Sequence, residues 1–198
     1  MDDPRIRRPA AFLDRDGTMI VERDFLGDPD KVEILPGVVE AIQLLNQWGY
    51  WVIGVSNQSG VARGYFGTSD VDAVNERIIE LLASQKAYVN RIYYCPHHPD
   101  IASARNEAAC DCRKPAPGMI RRALGDYPID LTGSFVVGDS TVDIGLARNA
   151  GIPGLLALTG YGAREQELLT LDATPDVIAD DLLAAVRWFG KKTGRISA

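Results

Sequence analysis

Cysteine is scarce in this chain of 198 residues: there are three, an odd number that does not build a disulfide framework. No uninterrupted apolar run approaches the roughly 20 residues of a membrane-spanning helix. The segment from Met1 to Pro9 carries Arg5, Arg7 and Arg8 with no apolar stretch behind them, so it does not read as a secretory signal. Positive charge is also short. Lys and Arg number 21 against 27 Asp and Glu, a net charge of −6, which argues against a nucleic-acid-binding surface and confines any phosphate recognition to a local site. There is no internal repeat, no low-complexity segment, no break in composition and no Gly-x-x-x-x-Gly-Lys-Ser/Thr loop for a nucleotide. The expectation is one soluble, cytoplasmic domain over residues 1–198, with no nucleic-acid or membrane partner. Its 46% hydrophobic content is enough for a well-buried core.

What is present alternates. Apolar runs at Ala10–Leu13, Tyr50–Val55, Arg91–Cys95, Ser134–Gly138 and Gly154–Leu158 read as strands, with a weak sixth at Asp176–Ala179. Between them apolar residues recur at helical spacing: from Gly37 to Gly49, from an N-cap at Thr68–Asp70 to about Ala87, from Lys114–Gly118 with proline in the first turn, over Ser140–Asn149 with Gly151 closing it, and over Asp181–Phe189. Residues 19–36 and 96–113 read as long loops, and Thr159–Gly162 and the tail from Lys191 as loose. Strand–helix alternation predicts an α/β fold, a doubly wound parallel sheet covered on both faces in three layers.

The strand ends carry the chemistry. The first strand runs into Asp14-Arg15-Asp16-Gly17-Thr18, two carboxylates one residue apart, which persist together where a hard divalent cation answers their charge. The second ends at Ser56-Asn57-Gln58-Ser59, Lys114 opens a helix, and the fourth ends at Asp139 with Asp143 four residues on. In open α/β sheets ligands gather at these carboxyl ends. A carboxylate nucleophile, hydroxyl and amide donors, a cation and a further metal-binding carboxylate suit phosphoryl transfer, which is mostly positioning and charge stabilisation.

In this set and order the chain resembles the haloacid dehalogenase superfamily of phosphatases, over about residues 9–160. The resemblance implies that Asp14 attacks phosphorus to give an aspartyl-phosphate and that Asp16 is the acid and base. It further implies that Ser56 and Lys114 bind the transferring phosphoryl group, and that Asp14, the main-chain carbonyl of Asp16 and Asp139 hold Mg²⁺. For Asp143 a helix cap or a place behind the metal ligands is weighed against direct metal contact, and it is not counted among the ligands. About 40 residues lie between Asp16 and Ser56 and about 57 between Asn57 and Lys114, all consumed by ordinary strands and helices. No room is left for a folded cap, so the fold is expected to be Rossmann-like, uncapped and monomeric, with loops selecting the substrate.

All three cysteines and both histidines fall between residues 95 and 112. Cys95-x-His97 followed by Cys110-x-Cys112 offers three thiolates and an imidazole, a closed tetrahedral set for structural Zn²⁺ that would fold the 95–113 loop and present Arg113 and Lys114. His97 fits the spacing, and His98 is read as its neighbour. This loop is similar to that of the heptose 1,7-bisphosphate 7-phosphatases, which supply precursors of nucleotide-activated heptose. Histidinol-phosphate phosphatases have a shorter gap between the two halves. The resemblance implies a small sugar phosphate as substrate, with contacts from Glu22, Arg23, Asp24, Phe25, Ser56, Asn57, Gln58, Ser59, Arg113 and Lys114. Family members often carry a basic residue after the fourth-motif Asp, where this chain has Ser140. A third reading, from a different class, is a zinc-stabilised binding protein without turnover.

Overall fold

The computed structural model describes residues 7–104, 110–170 and 173–196. Six strands, β1 (Arg8–Leu13), β2 (Trp51–Asn57), β3 (Arg91–Cys95), β4 (Ile129–Gly138), β5 (Gly154–Ala157) and β6 (Val177–Ala179), form one sheet in the order β3-β2-β1-β4-β5-β6. Every pairing is parallel. The alternation of side chains along each strand builds two cores. Ala11 and Leu13 of β1 face one with Val52, Phe135, Val137, Leu155 and Ala157, and Ala10 and Phe12 face the other with Ile53, Val55, Tyr93 and Val136.

Helices close both faces, giving the doubly wound, three-layer sheet expected. The apolar stripes of α1 (Val38–Gln47), α3 (Thr68–Ser84) and α8 (Leu182–Lys192) supply Ile42 and Leu45, Val74 and Ile78, and Val186 and Phe189 to the first core. Those of α5 (Gly118–Asp126) and α6 (Thr141–Ala150) supply Met119, Ile120 and Leu146 to the second. Strand order reverses about β1, which pairs with β2 on one side and β4 on the other. The crevice at such a switch point is where open α/β sheets bind ligands.

Several boundaries differ from expectation. The N-cap of α3 is Gly67, not a residue of Thr68–Asp70, because the Asp70 carboxylate reaches back to accept from the Gly67 N–H at 2.7 Å, and the helix ends at Ser84. Pro117 caps α5 from outside it; residues 114–117 are held as a turn by Ala116 N–H on the Arg113 carbonyl, 2.8 Å. The strand β4 begins at Ile129, earlier than its apolar run, because Ile129 and Asp130 pair with Arg8 and Pro9. Three short helices fall in stretches read as turn or loop: α2 (Ser59–Arg63), α4 (Pro99–Ala104) and α7 (Gly162–Glu165). Four to six residues are too few to show a 3.6-residue period. No helix among the described residues is long and apolar enough to cross a membrane.

Phe135 is the aromatic centre of the first core. It is fully buried, with its ring 4.1 Å from that of Phe189 and 5.8 Å from that of Tyr50. Phe135→Ala is expected to cost about 3–5 kcal/mol, read as a lower urea midpoint with an unchanged slope.

Candidate active site

Asp14 follows β1 directly, its N–H donating to the Val137 carbonyl, 2.9 Å, so the ladder itself sets its position. Asp139 follows β4, and Lys114 arrives from the opposite core. The Lys114 ammonium is 3% exposed and spends its three donors on the Asp14 carboxylate, the Asp143 carboxylate at 2.6 Å and the Val55 carbonyl at 2.9 Å. The Lys114 main chain is tied to β2 by a reciprocal amide pair with Asn57, at 3.0 and 3.2 Å.

Asp14, Asp139 and Asp143 each offer a carboxylate oxygen, all within 4.8 Å of one another, and all three residues are buried. Burial pushes the carboxyls of Asp14 and Asp143 up, against the pull of Lys114. Burial likewise lifts Asp139 to about 7, against the N–H of Tyr161 that donates to it at 2.8 Å. Burial would lower Lys114, but Asp14 and Asp143 outweigh it and raise its pKa. Removing one ionised carboxylate from water costs several kcal/mol even after relaxation. One ammonium does not balance three, and the remaining deficit at an all-oxygen cluster suits a hard divalent cation.

Two glycines make the approach of these acids possible. A Cβ on Gly17 (φ +80°) would lie 2.0 Å from Asp139 Oδ2, and one on Gly138 would lie 2.1 Å from Asp143 Cγ. Asp143 does not cap α6: the cap is Ser140, whose Oγ accepts from Val142 N–H at 3.2 Å. Asp143 turns inward to Lys114 instead.

A cleft of about 210 Å³ opens over this group, and Asp14, Asp16, Glu22, Ser56, Asn57, Arg113, Lys114 and Asp139 all line it, with Ser140, Val142, Asp143 and Tyr161. The other predicted contacts do not. Arg23 pairs with Glu33 at 2.8 Å, Asp24 accepts from the Tyr161 hydroxyl at 2.7 Å, and Phe25 stands exposed with its ring edge-on to Tyr65. Gln58 is buried behind Ser56, donating to it and to Asp16 at 2.7 Å each, and Ser59 begins α2. Sequence reasoning missed Arg15, wholly buried beside Asp16, and Tyr161, whose backbone N–H steadies Asp139.

Next to the cleft, Cys95 at the end of β3 meets His97, Cys110 and Cys112. Sγ of Cys95 lies 3.5 Å from that of Cys110 and 3.1 Å from that of Cys112, and His97 Nδ1 lies 3.6 and 3.4 Å from Cys95 and Cys112. A tetrahedron with roughly 2.3 Å bonds to sulfur has edges of about 3.5–3.8 Å, so the donor set and its size fit zinc. Burial pushes the Cys95 thiol up, and as a thiolate it needs such a cation. His98 stays outside the group, its Nε2 3.1 Å from the Arg63 guanidinium. The cluster fixes the segment before the site lysine, since Arg113 donates to the His97 carbonyl at 3.0 Å.

The HAD-hydrolase-like family model matches residues 111–185. A D-glycero-beta-D-manno-heptose-1,7-bisphosphate 7-phosphatase of Rhodopseudomonas palustris is 44% identical over 148 residues, covering 75% of this chain and 82% of its own. A D-glycero-D-manno-heptose-1,7-bisphosphate 7-phosphatase of Thermosynechococcus vestitus is 41% identical over 189 residues, covering 91% and 95%. The crystal structure of D,D-heptose 1.7-bisphosphate phosphatase from B. bronchiseptica, complexed with magnesium and phosphate, superposes with a TM-score of 0.81 at 35% identity, covering 93% of this chain and 99% of that one. The chain belongs to the haloacid dehalogenase-like phosphatases. It is a phosphoric monoester hydrolase, and the relatives just described are all heptose bisphosphate phosphatases.

Gly138→Ala is expected to push Asp143 off its seat and shift Lys114 with it. Displacements on the order of 1 Å cost about 10²-fold, so phosphatase kcat should fall by that order while the far-UV circular dichroism spectrum is kept.

Proposed function

We propose that this enzyme removes the 7-phosphate of D-glycero-D-manno-heptose 1,7-bisphosphate through an aspartyl-phosphate on Asp14. The observation that carries the reading is the buried Asp14–Lys114–Asp143 group beside Asp139, with Asp16 facing the same cleft. Asp14 attacks phosphorus as the bond to the sugar oxygen breaks, and the Asp16 carboxyl gives that oxygen its proton. Water then attacks phosphorus, Asp16 takes its proton, and the Asp14–phosphate bond breaks. Ser56 and Lys114 bind the phosphoryl oxygens, and Lys114 also fixes the attacking carboxylate.

Asp14, the main-chain carbonyl of Asp16 and Asp139 would hold Mg²⁺, which supplies charge neutralisation for the transferring phosphoryl group. The relative solved with magnesium and phosphate supports magnesium as the metal. Zn²⁺ on Cys95, His97, Cys110 and Cys112 is structural, since four protein donors leave no position for water. With Ser140 occupied as a helix cap, Arg113 is the cation besides Lys114 among the cleft-lining residues, and it is assigned to the second phosphate. The β anomer is the expected substrate, in keeping with the name of the Rhodopseudomonas palustris relative. The names of the relatives favour the heptose ester over histidinol phosphate, and the assembled acidic group speaks against a protein without turnover.

Phosphate release with Mg²⁺ from both anomers of the heptose bisphosphate and from histidinol phosphate tests this. The β anomer should win, and Asp14→Asn should lower kcat by about 10³-fold or more; preference for histidinol phosphate would overturn the substrate, and an active Asp14→Asn the mechanism. By metal analysis the wild type and Asp14→Asn should each carry about one zinc per chain, and Cys112→Ser should lose it together with thermal stability.

A further inference from the structure

Among the described residues, Arg15 heads the large side chains with no exposure at all. All three of its hydrogen-bonded nitrogens are accounted for: Nε donates to Asp16 Oδ2 at 2.9 Å, Nη2 to Asp16 Oδ1 at 3.0 Å, and Nη1 to Asn75 Oδ1 at 3.0 Å. Asn75 comes from α3, sixty residues away, and is itself buried among the apolar side chains of that helix. Asp16 is different: its side chain is 18% exposed and reaches the cleft.

Stability does not explain this arrangement. A buried ion pair is commonly no better than well-packed apolar side chains of the same volume, because both ions lose their water. What a planar guanidinium fork does supply is orientation, since two parallel N–H donors on both oxygens stop the carboxylate turning about its last bond. The Asn75 carbonyl holds the fork from behind. Gln58 Nε2, 2.7 Å from Asp16 Oδ2, and Ser56 Oγ, 3.4 Å from it, close the remaining side.

We propose that Arg15, backed by Asn75, is a positioning residue that fixes the Asp16 carboxyl for proton transfer to the leaving alcohol. The inference rests on the phosphatase reading above. In the step concerned, the phosphorus–oxygen bond to the sugar breaks, the bond to Asp14 forms, and the Asp16 proton passes to the departing oxygen. A carboxyl free to turn delivers that proton less often.

The test compares kcat/KM, which runs only as far as departure of the leaving group, for two esters. A sugar alkoxide leaves poorly and needs the proton; p-nitrophenolate leaves without one. General-acid catalysis supplies about 10²–10⁴-fold, so Asn75→Leu is expected to lower kcat/KM for heptose 1,7-bisphosphate by about tenfold or more and for p-nitrophenyl phosphate by less than about threefold. Arg15→Lys, which keeps the charge and loses the fork, should skew the ratio the same way. Equal losses on both esters, or no loss on either, overturn the proposal, and if Arg15→Lys does not fold the Asn75 variant decides. If instead the wild type does not hydrolyse the heptose ester, the substrate reading above fails, and if Asp14→Asn still hydrolyses both esters, the aspartyl-phosphate mechanism fails.

Discussion

The contact of the Lys114 ammonium with Asp14 and Asp143 is the constraint around which the rest of the site is arranged. An ammonium buried to this degree would be intolerable without partners, and the partners would be intolerable without it. Two carboxylates satisfy the lysine and a third, Asp139, stands beside them, so the group stays short of positive charge. That deficit is the property a phosphate-transferring site needs: it suits a divalent cation, which would supply positive charge beside the Lys114 ammonium where a phosphoryl group transfers.

Holding such a group requires rigidity from several directions at once. The parallel ladders place Asp14 and Asp139 at adjacent strand ends, because β1 sits between β2 and β4. Gly17 and Gly138 remove the side chains that would separate the acids. Lys114 is not on a strand, so its place depends on the Asn57 amide pair and on the Cys95–His97–Cys110–Cys112 cluster immediately before it. A structural metal is a direct way to order a long loop that has little apolar surface of its own to bury.

Much of this was legible beforehand. The parallel sheet follows from buried apolar runs alternating with amphipathic segments; Asp14, Asp16, Ser56 and Asp139 stood out because polar groups interrupt those runs at their carboxyl ends, and Lys114 because a helical pattern opens there, just after the cysteine-rich stretch. The four cysteine and histidine positions were visible through spacing alone. Arg15 was not, since a charge between two aspartates looks solvated until Asn75, far along the chain, is seen to receive it. Tyr161 escaped because its main-chain N–H steadies Asp139, and a backbone donor leaves no mark on residue identity. The contacts that the resemblance implies for Arg23, Asp24 and Phe25 fall where the chain turns: Asp24 has φ +58° and its carboxylate meets the Tyr161 hydroxyl.

The account stands on Asp14 as the group that takes the phosphoryl. Acid quenching during turnover with Mg²⁺ and substrate, followed by digestion and mass spectrometry, tests that directly. A phosphoryl group on Asp14, absent without substrate and in Asp14→Asn, is the predicted result. Phosphate found on Ser56 or another side chain, or product formed in a single turnover with Asp14 never labelled, would contradict it.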